Sequence, residues 1–516
     1  MLNSKAKEKP KVLLAAQELM DKGEYKEALQ VLNDFEQKEE LTNEDLHSYY
    51  YLKSSLLFEI GNTQEAQKFA HLAYNASQEM GQNVKIVESL ILKAKLLVRQ
   101  PKECLNAVVK AEDLLKTISP ELLPNLKKKK ASLAWIKGWA YYYERDSINA
   151  LKFAERSLKL REELGNKKEI LFSLNLLGFL NILFNYDLDR SLILSEHAMK
   201  IAEEIGKHSC RKQIAGIMLN LGMISAFRGE LNSALDYYKQ SLAILEEFED
   251  IFWILGTLNN IALIYWRQGD VDKALELCEK NYTLSKEYET PRANSIYLSN
   301  LVALNIEIGD LEKANLYLRK LKELKNQEEN EFISKTYSFF KAKLLKKSTQ
   351  VGDQARAEEL FKQIIERDTS SYYHIQIGAS INLCDMLLVK LYETNDLKLF
   401  DEIQLYTIRI HDLAKNQRIP QLLVETFLLQ AKLQLIIFDF KKAQRSLAQA
   451  LHICEKYGLK MLAVRITKEQ DELKNKLNKW EELKKSEAKL SVRMDLAGVG
   501  DQVNRMLKKR TSLGRY

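Results

Sequence analysis

Hydrophobic residues along this chain recur at three- and four-residue steps over long stretches, which is the spacing of one face of an α-helix. The segment LNSALDYYKQSLAILEEF (231–248) has this spacing, and LNLGMISAF (219–227) before it is mostly apolar. The chain of 516 residues contains only 6 Pro and 19 Gly, so residues that break helices are scarce. The pattern predicts an all-α protein in which apolar and amphipathic helices alternate.

A short signature separates the two kinds of helix: a Gly, in several copies followed by Asp or Asn, and Ala five positions after the Gly. The copies are Gly23/Ala28, Gly61/Ala66, Gly229/Ala234, Gly269/Ala274, Gly309/Ala314 and Gly352/Ala357. The units between them carry Cys104, Ala150, Ser191, Leu399 and Ala443 in the position of the Ala. A period of about forty residues predicts about eleven helical pairs stacked in one array.

Each residue of the signature has a physical reason. The Gly ends the first helix in a left-handed conformation, which costs a side chain about 1 kcal/mol or more. The following Asp or Asn caps the second helix. The Ala is small because two helices cross closely there.

The strongest copies resemble the tetratricopeptide repeat (TPR), whose pattern of small and large residues they follow. The matching residues are Gly222, Gly229, Ala234, Tyr238 and Ser241, and then Ala262, Tyr265, Gly269 and Ala274. The long period is similar to that of kinesin light chains and spindle-orientation scaffolds. The resemblance covers roughly residues 12 to 460. It implies a right-handed α-solenoid with first helices along a concave groove and second helices outside.

Asparagines recur at one place in successive first helices. Asn220, Asn260 and Asn300 share a register, Asn175 lies one residue out of step, and Asn259 adjoins Asn260. An amide in a helix interior has no local reason to be there, since Asn is a mediocre helix former. We predict that these side chains line the groove and hydrogen-bond the backbone of an extended peptide. The resembling families hold a partner's backbone in this way.

Aromatic and basic residues lie six or seven positions after the asparagine row. They include Tyr142, Phe184, Phe227, Trp266 and Arg267. Aromatic and Arg side chains dominate interface energetics, so a peptide with large apolar residues and an acidic residue for Arg267 is the predicted ligand. The competing interpretation is that these side chains are core residues and that the amides bond within the array.

Charge and cysteine usage narrow the partners. The formal net charge is +7, and most of it falls after Arg465, so the array lacks the basic stripe that nucleic acid requires. The run Lys127 to Lys130 is interpreted as a solvated helix face. Five widely spaced cysteines predict buried thiols in a reducing compartment, hence a cytoplasmic protein. Neither a signal peptide nor a membrane span is expected.

The predicted organisation is an N-terminal tail (1–11), the repeat array (12–463), one capping helix (464–490) and a basic tail (491–516). A seam near 117–130 follows from Ser119-Pro120 and the long helix after it. The tail carries Val503, Met506 and Leu507 ahead of basic residues. It is interpreted either as a loose end or as a segment that docks on its own array, on a sister subunit or on an anionic surface.

No enzyme motif is present: HExxH and GxxxxGK are absent, and GVG at 498–500 lacks a strand before it. No cofactor or metal is expected. The preferred function is therefore a non-enzymatic scaffold that binds an extended peptide of a partner protein. A peptide-responsive signalling regulator of the bacterial TPR type is the alternative, and a nucleic-acid-associated regulator ranks third because no helix-turn-helix domain precedes the repeats.

Overall fold

The computed structural model describes residues 11–36, 42–119, 126–185, 187–288, 291–348, 350–366, 373–416 and 419–499. In these ranges the chain forms twenty-five α-helices, a π-helical turn (Asn181–Asn185), a 3₁₀ turn (Lys207–Cys210) and no β-strand. The first twenty-two α-helices form eleven pairs. The prediction of an all-α array of helical pairs is confirmed.

The pairs follow one another without interruption. Their first helices are α1 (Lys11–Lys22), α3 (Asn43–Glu59), α5 (Asn83–Leu96), α7 (Leu126–Glu144), α9 (Lys167–Leu180), α11 (Arg211–Arg228), α13 (Ile251–Gln268), α15 (Pro291–Ile308), α17 (Glu331–Leu345), α19 (Tyr373–Thr394) and α21 (Pro420–Ile436). Their second helices are α2 (Tyr25–Glu36), α4 (Thr63–Glu79), α6 (Pro101–Thr117), α8 (Ser147–Leu164), α10 (Leu188–Ile205), α12 (Leu231–Glu247), α14 (Val271–Tyr288), α16 (Leu311–Gln327), α18 (Val351–Glu366), α20 (Leu397–Asn416) and α22 (Phe440–Lys456).

First helices of neighbouring pairs touch one another. Helices α3, α5, α7 and α9 form one such series, and α15, α17 and α19 form another. From α2 to α8 and from α16 to α20, each second helix contacts its own partner and the next first helix. Within each series the first helices form one layer, and the second helices pack against it.

The glycine caps are confirmed in five of the six signature copies. The glycines with positive φ, between 83° and 87°, are Gly23, Gly61, Gly229, Gly269 and Gly309. The predicted cap at Gly352 is wrong, because α18 begins one residue before it, at Val351. The turn before α18 is built instead on Ser348, whose Oγ donates to Asp353 Oδ2 at 2.7 Å.

The small position of the signature is buried throughout. The fully buried residues at the fourth place of their helices are Ala28, Ala66, Cys104, Ala150, Ser191, Ala234, Ala274, Ala314 and Ala443. Ala357 is also fully buried, further along its helix. Leu399 was assigned the wrong register: α20 starts at Leu397, so Phe400, only 5% exposed, takes the equivalent place. At Gly222 an added Cβ would lie 2.6 Å from the Tyr238 ring, so this crossing admits only glycine.

The chain divides into two compact units. Unit 1 comprises Met1–Ile224 and Asn232–Thr257, and unit 2 comprises Ser225–Leu231 and Leu258–Tyr516. The predicted seam near 117–130 falls inside unit 1 and does not coincide with this division. Helix α6 ends at Thr117 and α7 begins at Leu126, while residues 120–125 fall outside the described ranges.

Unit 1 folds back on itself. Lys212 at the start of α11 donates to the Glu59 carbonyl after α3 at 2.9 Å and pairs with Asp250 at 2.7 Å. The ring of Tyr25 in α2 lies 6.0 Å from that of Phe248. Early and late pairs of this unit are therefore in direct contact.

The C-terminal cap differs from the prediction. Residues 464–490 were expected to form one helix, but α23 (Lys460–Asn475) and α24 (Leu477–Lys485) are separated at Lys476. The break lets Trp480, 1% exposed, reach the rings of Phe438 and Phe440 at 6.3 and 6.2 Å. A further helix, α25 (Leu490–Leu496), follows. Of the predicted tail, residues 500–516 lie outside the described ranges.

The five cysteines and one long apolar helix of the described chain are largely buried. All five cysteines are buried and free, as predicted. Among the helices described, one stretch, His374–Thr394, is long and apolar enough to cross a membrane by length and composition alone. Because 67% of the tested window is buried inside the array, the stretch also fits the core helix of a repeat.

Candidate functional site

The asparagines of α9 and α11 tie these two helices together. Asn175 Nδ2 donates to the Gln213 carbonyl at 2.9 Å, and Asn220 Nδ2 donates to the Asn175 carbonyl at 3.0 Å. Each amide lies over a glycine of the other helix: an added Cβ at Gly178 would be 3.2 Å from Asn220 Nδ2, and one at Gly216 would be 3.2 Å from Asn175 Nδ2. The glycines make room for the amides.

The predicted row of groove-facing amides therefore does not run through Asn220. Only 3% of this residue is exposed, and its amide already bonds to neighbouring backbone. The half-buried Asn175 is engaged in the same way. Sequence register alone could not show this, because a backbone carbonyl of the adjacent helix satisfies the amide from within the array.

The asparagines of α13 and α15 are arranged differently. Asn300 Nδ2 donates to Asn259 Oδ1 at 2.9 Å, so the partner of Asn300 is Asn259 and not Asn260, which the register had matched to it. All three side chains are half-buried. Within the described chain no hydrogen bond engages the Asn260 side chain. Asn260 is thus the asparagine of this row whose side chain forms no hydrogen bond in the described chain.

Trp266 and Arg267 lie two turns further along α13. Trp266 Nε1 donates to Glu307 Oε2 of α15 at 2.6 Å, and Arg267, which is exposed, donates through Nη1 to the Ala226 carbonyl at 2.8 Å. The Phe227 carbonyl accepts from Gln421 Nε2 at 2.7 Å, and the Phe227 side chain is half-buried. Arg267 thus holds backbone within unit 2, and its pairing with a ligand carboxylate stays a prediction.

Lys343 is a cationic residue near Glu307 that the sequence analysis missed. It lies on α17, and its ammonium is 5.8 and 5.4 Å from the ring centres of Phe339 and Phe340. No ion pair neutralises it in the described ranges. Its pKa is lowered from 10.5 to about 8, first by burial and then by Lys346 and Lys347, while Glu307 acts in the opposite direction.

Hydrogen bonds join Asn300 to Asn259 and Trp266 to Glu307 across α13 and α15, and Glu307 acts electrostatically on Lys343 of α17. We group these side chains of unit 2 as the α13–α17 face: Asn259, Asn260, Trp266, Asn300, Glu307 and Lys343. The face offers an amide without a hydrogen bond, an indole, and a cation that forms no ion pair in the described ranges. Those groups suit a peptide backbone, an apolar side chain and a carboxylate.

Unit 1 carries an aromatic cluster on its own first helices. The Tyr142 ring is 6.1 Å from Phe184 and 5.7 Å from Trp139, and Trp139 is 6.0 Å from Trp253. The π-helical turn Asn181–Asn185 after α9 carries Phe184 to this cluster. Trp139 was missed by the sequence analysis, although it lies one helical turn before Tyr142. Its indole N–H is buried and lacks an acceptor in the described chain.

Three of the four lysines in the run at the start of α7 form ion pairs. Lys127 pairs with Glu163 at 2.7 Å, Lys128 with Glu169 at 3.2 Å and Lys129 with Glu88 at 2.8 Å. Lys129 helps to hold the pKa of Glu88 below its usual range against the effect of burial. The run is therefore an ion-paired surface rather than an open basic patch. No cluster of three His, Cys, Asp or Glu in the described ranges could hold a metal ion.

A tandem array of about forty-residue helical pairs with a small residue at each crossing defines a protein of the tetratricopeptide-repeat class. Residues 136–466 match the family described as the MalT-like TPR region, which is more than half of the chain. The chain belongs to this family. The finer resemblance to kinesin light chains is not confirmed by this match. No curated protein sequence matches the chain.

Several solved structures are similar in fold. The apo form of RapI has a TM-score of 0.46 at 14% identity, with 72% of this chain and 98% of that chain covered. NprR in complex with its cognate peptide NprX has a TM-score of 0.49 at 15% identity, covering 71% and 98%. The human IFIT1 dimer with PPP-AAAA has a TM-score of 0.43 at 14% identity, covering 85% and 89%. No functional conclusion follows from similarities at this level.

Proposed function

We propose that this protein is a scaffold that binds an extended segment of a partner protein along the α13–α17 face. The observation that carries the proposal is the amide of Asn260, which forms no hydrogen bond in the described chain, grouped with the ammonium of Lys343, which forms no ion pair there. An extended strand presents carbonyl and N–H groups to which a single amide can both donate and accept. A carboxylate of the ligand would neutralise Lys343, which is costly to bury alone.

The proposed binding mode modifies the asparagine ladder of kinesin light chains. Instead of four equivalent amides, Asn260 contacts the ligand and the Asn259–Asn300 pair orients the wall beside it. Trp266, fixed by Glu307, supplies apolar contact area for a neighbouring ligand side chain. The proposed role is binding rather than catalysis. We place it in the cytoplasm, where free thiols stay reduced.

Panning of a random peptide library on the full-length protein tests the proposal. We expect enriched peptides to combine a large apolar residue with an acidic one. Their affinity should fall by about fivefold in Asn260→Ala, since one hydrogen bond contributes about 1 kcal/mol. Asn315→Ala is the matched control, because Asn315 is an exposed asparagine on the second helix of its pair, α16.

Two results would contradict the proposal. The first is a library that yields no peptide specific for the wild-type protein. The second is a set of peptides whose affinity is the same for wild type, Asn260→Ala and Lys343→Met, because those peptides would bind another surface.

A further inference from the structure

The segment after α24 returns to the array and packs on two first helices. Helix α25 contacts α19 and α21. Its apolar side chains Leu490, Met494, Ala497 and Val499 are between 0% and 5% exposed. They belong to the same hydrophobic cluster as residues near the C-terminal ends of α19 and α21, among them Leu391 and Ile436. The segment 490–499, which we call the terminal segment, therefore covers the ends of these helices.

Polar contacts fix the orientation of the terminal segment. Tyr392 donates through its hydroxyl to Asp495 at 3.2 and 3.3 Å, and the Ser491 N–H donates to Asn395 Oδ1 at 3.3 Å. Arg493 donates to the Ile436 carbonyl at 3.5 Å and lies 4.5 Å from the centre of the Phe438 ring. The hydrogen bonds are long and lie at the edge of the array, so they select an orientation more than they hold the segment in place.

The terminal segment has a helix end of its own. Gly498, at φ +67°, follows Ala497; its N–H donates to the Asp495 carbonyl at 3.0 Å, and the Val499 N–H donates to the Met494 carbonyl at 2.9 Å. This pair of bonds is the Schellman motif, which commonly places apolar side chains like those of Met494 and Val499 together. The geometry of the segment is thus encoded locally and does not depend on the helix before it.

The connection to α24 is a short hinge. Only residues 486–489 lie between the two helices, and Glu487 has φ +49°, a left-handed conformation that disfavours a side chain. A helix of seven residues is also too short to be stable without its contacts. One small apolar face stabilises the docked segment. The left-handed backbone of Glu487 and the entropy lost on ordering oppose docking.

We propose that the ends of α19 and α21 form a docking site for a short amphipathic helix, and that the terminal segment occupies this site reversibly as an internal ligand. The external ligand is a partner-protein helix with the same chemistry: apolar residues four, seven and nine positions after the first one, and an acidic residue for Tyr392. Such a ligand binds only when the terminal segment leaves. The proposal concerns a surface separate from the α13–α17 face and stands independently of it.

A labelled synthetic peptide of residues 487–499 tests the proposal by fluorescence anisotropy on full-length protein. Met494→Glu places a carboxylate on the fully buried position and should release the internal segment. Val492→Glu is the matched control: it makes the same charge change on the same helix, at a residue that is 44% exposed. We expect Met494→Glu to bind the peptide at least tenfold more tightly than wild type or Val492→Glu.

Equal binding to wild type and Met494→Glu, or binding to neither, would overturn the proposal. Hydrogen exchange on the wild type guards against misfolding of the variant. Amides of 490–499 should exchange at least tenfold faster than the core amides of α19 and α21. Exchange at one common rate would make the segment a fixed part of the core and would also overturn the proposal. So would a concentration-dependent wild-type dimer that Met494→Glu abolishes, because the segment would then dock on a second copy.

Discussion

Two pairs of asparagines at equivalent places in the repeat behave in opposite ways. In unit 1, Asn175 and Asn220 bond to the backbone of adjacent first helices and lie against glycines. In unit 2, Asn300 bonds to the side chain of Asn259, and Asn260 is left without a partner in the described chain. Asparagines at similar repeat positions therefore bond backbone in one unit, whereas in the other they form a side-chain pair or, at Asn260, no hydrogen bond in the described chain.

The difference follows from how closely the helices approach. A glycine opposite each amide lets the unit 1 helices come near enough for a side chain to reach backbone. In α13 and α15 the amides meet each other instead, and a side-chain pair leaves further donors and acceptors unused. The role of an amide in such an array can therefore be interpreted only together with the residue that faces it.

The variant with the largest expected effect on stability is Asn220→Ala. We expect Asn220→Ala to lower the free energy of unfolding by about 2–3 kcal/mol, because it removes a buried hydrogen bond to the Asn175 carbonyl and opens a small void. Urea denaturation measures the change. Asn260→Ala is the matched variant and should lose less than about 0.5 kcal/mol. Equal losses in the two variants would remove the distinction between the units.

The ammonium of Lys343 makes the free energy of unfolding depend on pH. Its folded pKa of about 8 lies below the 10.5 of an unperturbed lysine, so between these values the unfolded state binds more protons and wild-type stability rises with pH. At pH 7 both states are charged, and the cost of burial is fully present. We expect Lys343→Met to stabilise the protein by about 1–2 kcal/mol at pH 7, less the lost ring contact, and the gain to shrink toward pH 10.

Urea denaturation of wild type and Lys343→Met at pH 7 and pH 10 checks this prediction. Lys341→Met, on the same helix, should give a smaller gain of the same sign, since burial and then Arg356, Lys322 and Lys325 also lower the pKa of Lys341, but without a large shift. A gain for Lys343→Met that is the same at both pH values would show that the ammonium is not responsible.

Glycine substitutions give a smaller but direct measure of helix approach in unit 1. Gly216→Ala would bring a Cβ to 3.2 Å from Asn175 Nδ2, whereas a Cβ at Gly256 meets no described atom within 4 Å. Both changes favour the helix by up to about 1 kcal/mol. We expect Gly256→Ala to raise the melting temperature and Gly216→Ala to leave it unchanged or lower it. Equal increases in thermal denaturation would show that Asn175 moves aside freely.

Features that depend on local sequence could be predicted here. The glycine caps follow from backbone conformation, and the small crossing residues follow from side-chain volume. Together they predict about eleven helical pairs. Gly352 and Leu399 failed because the helices there start at other residues than the period suggests. A register error of one residue turns a helix position by about 100°, and for this reason Asn260 was matched to Asn300 in place of Asn259.

Features that depend on burial could not be predicted. Lys343 is one of 78 basic residues, and only the structure places it beside two aromatic rings with no ion pair in the described ranges. Trp139 becomes part of a cluster only because Trp253, more than a hundred residues later, packs on it. The terminal segment is a similar case: its apolar spacing is short, and only the ends of α19 and α21 give it a surface to cover.

The smallest expected effect on folding is the most informative about function. Asn260→Ala should unfold within about 0.5 kcal/mol of wild type, yet weaken a bound peptide by about 1 kcal/mol, because the lost amide bonds to the ligand and not to the array. Asn300→Ala should weaken the same peptide less, since it acts only through Asn259. Isothermal titration of one selected peptide against the three proteins measures the order. If Asn300→Ala weakened binding more than Asn260→Ala, the Asn259–Asn300 pair would be the ligand contact and Asn260 a bystander.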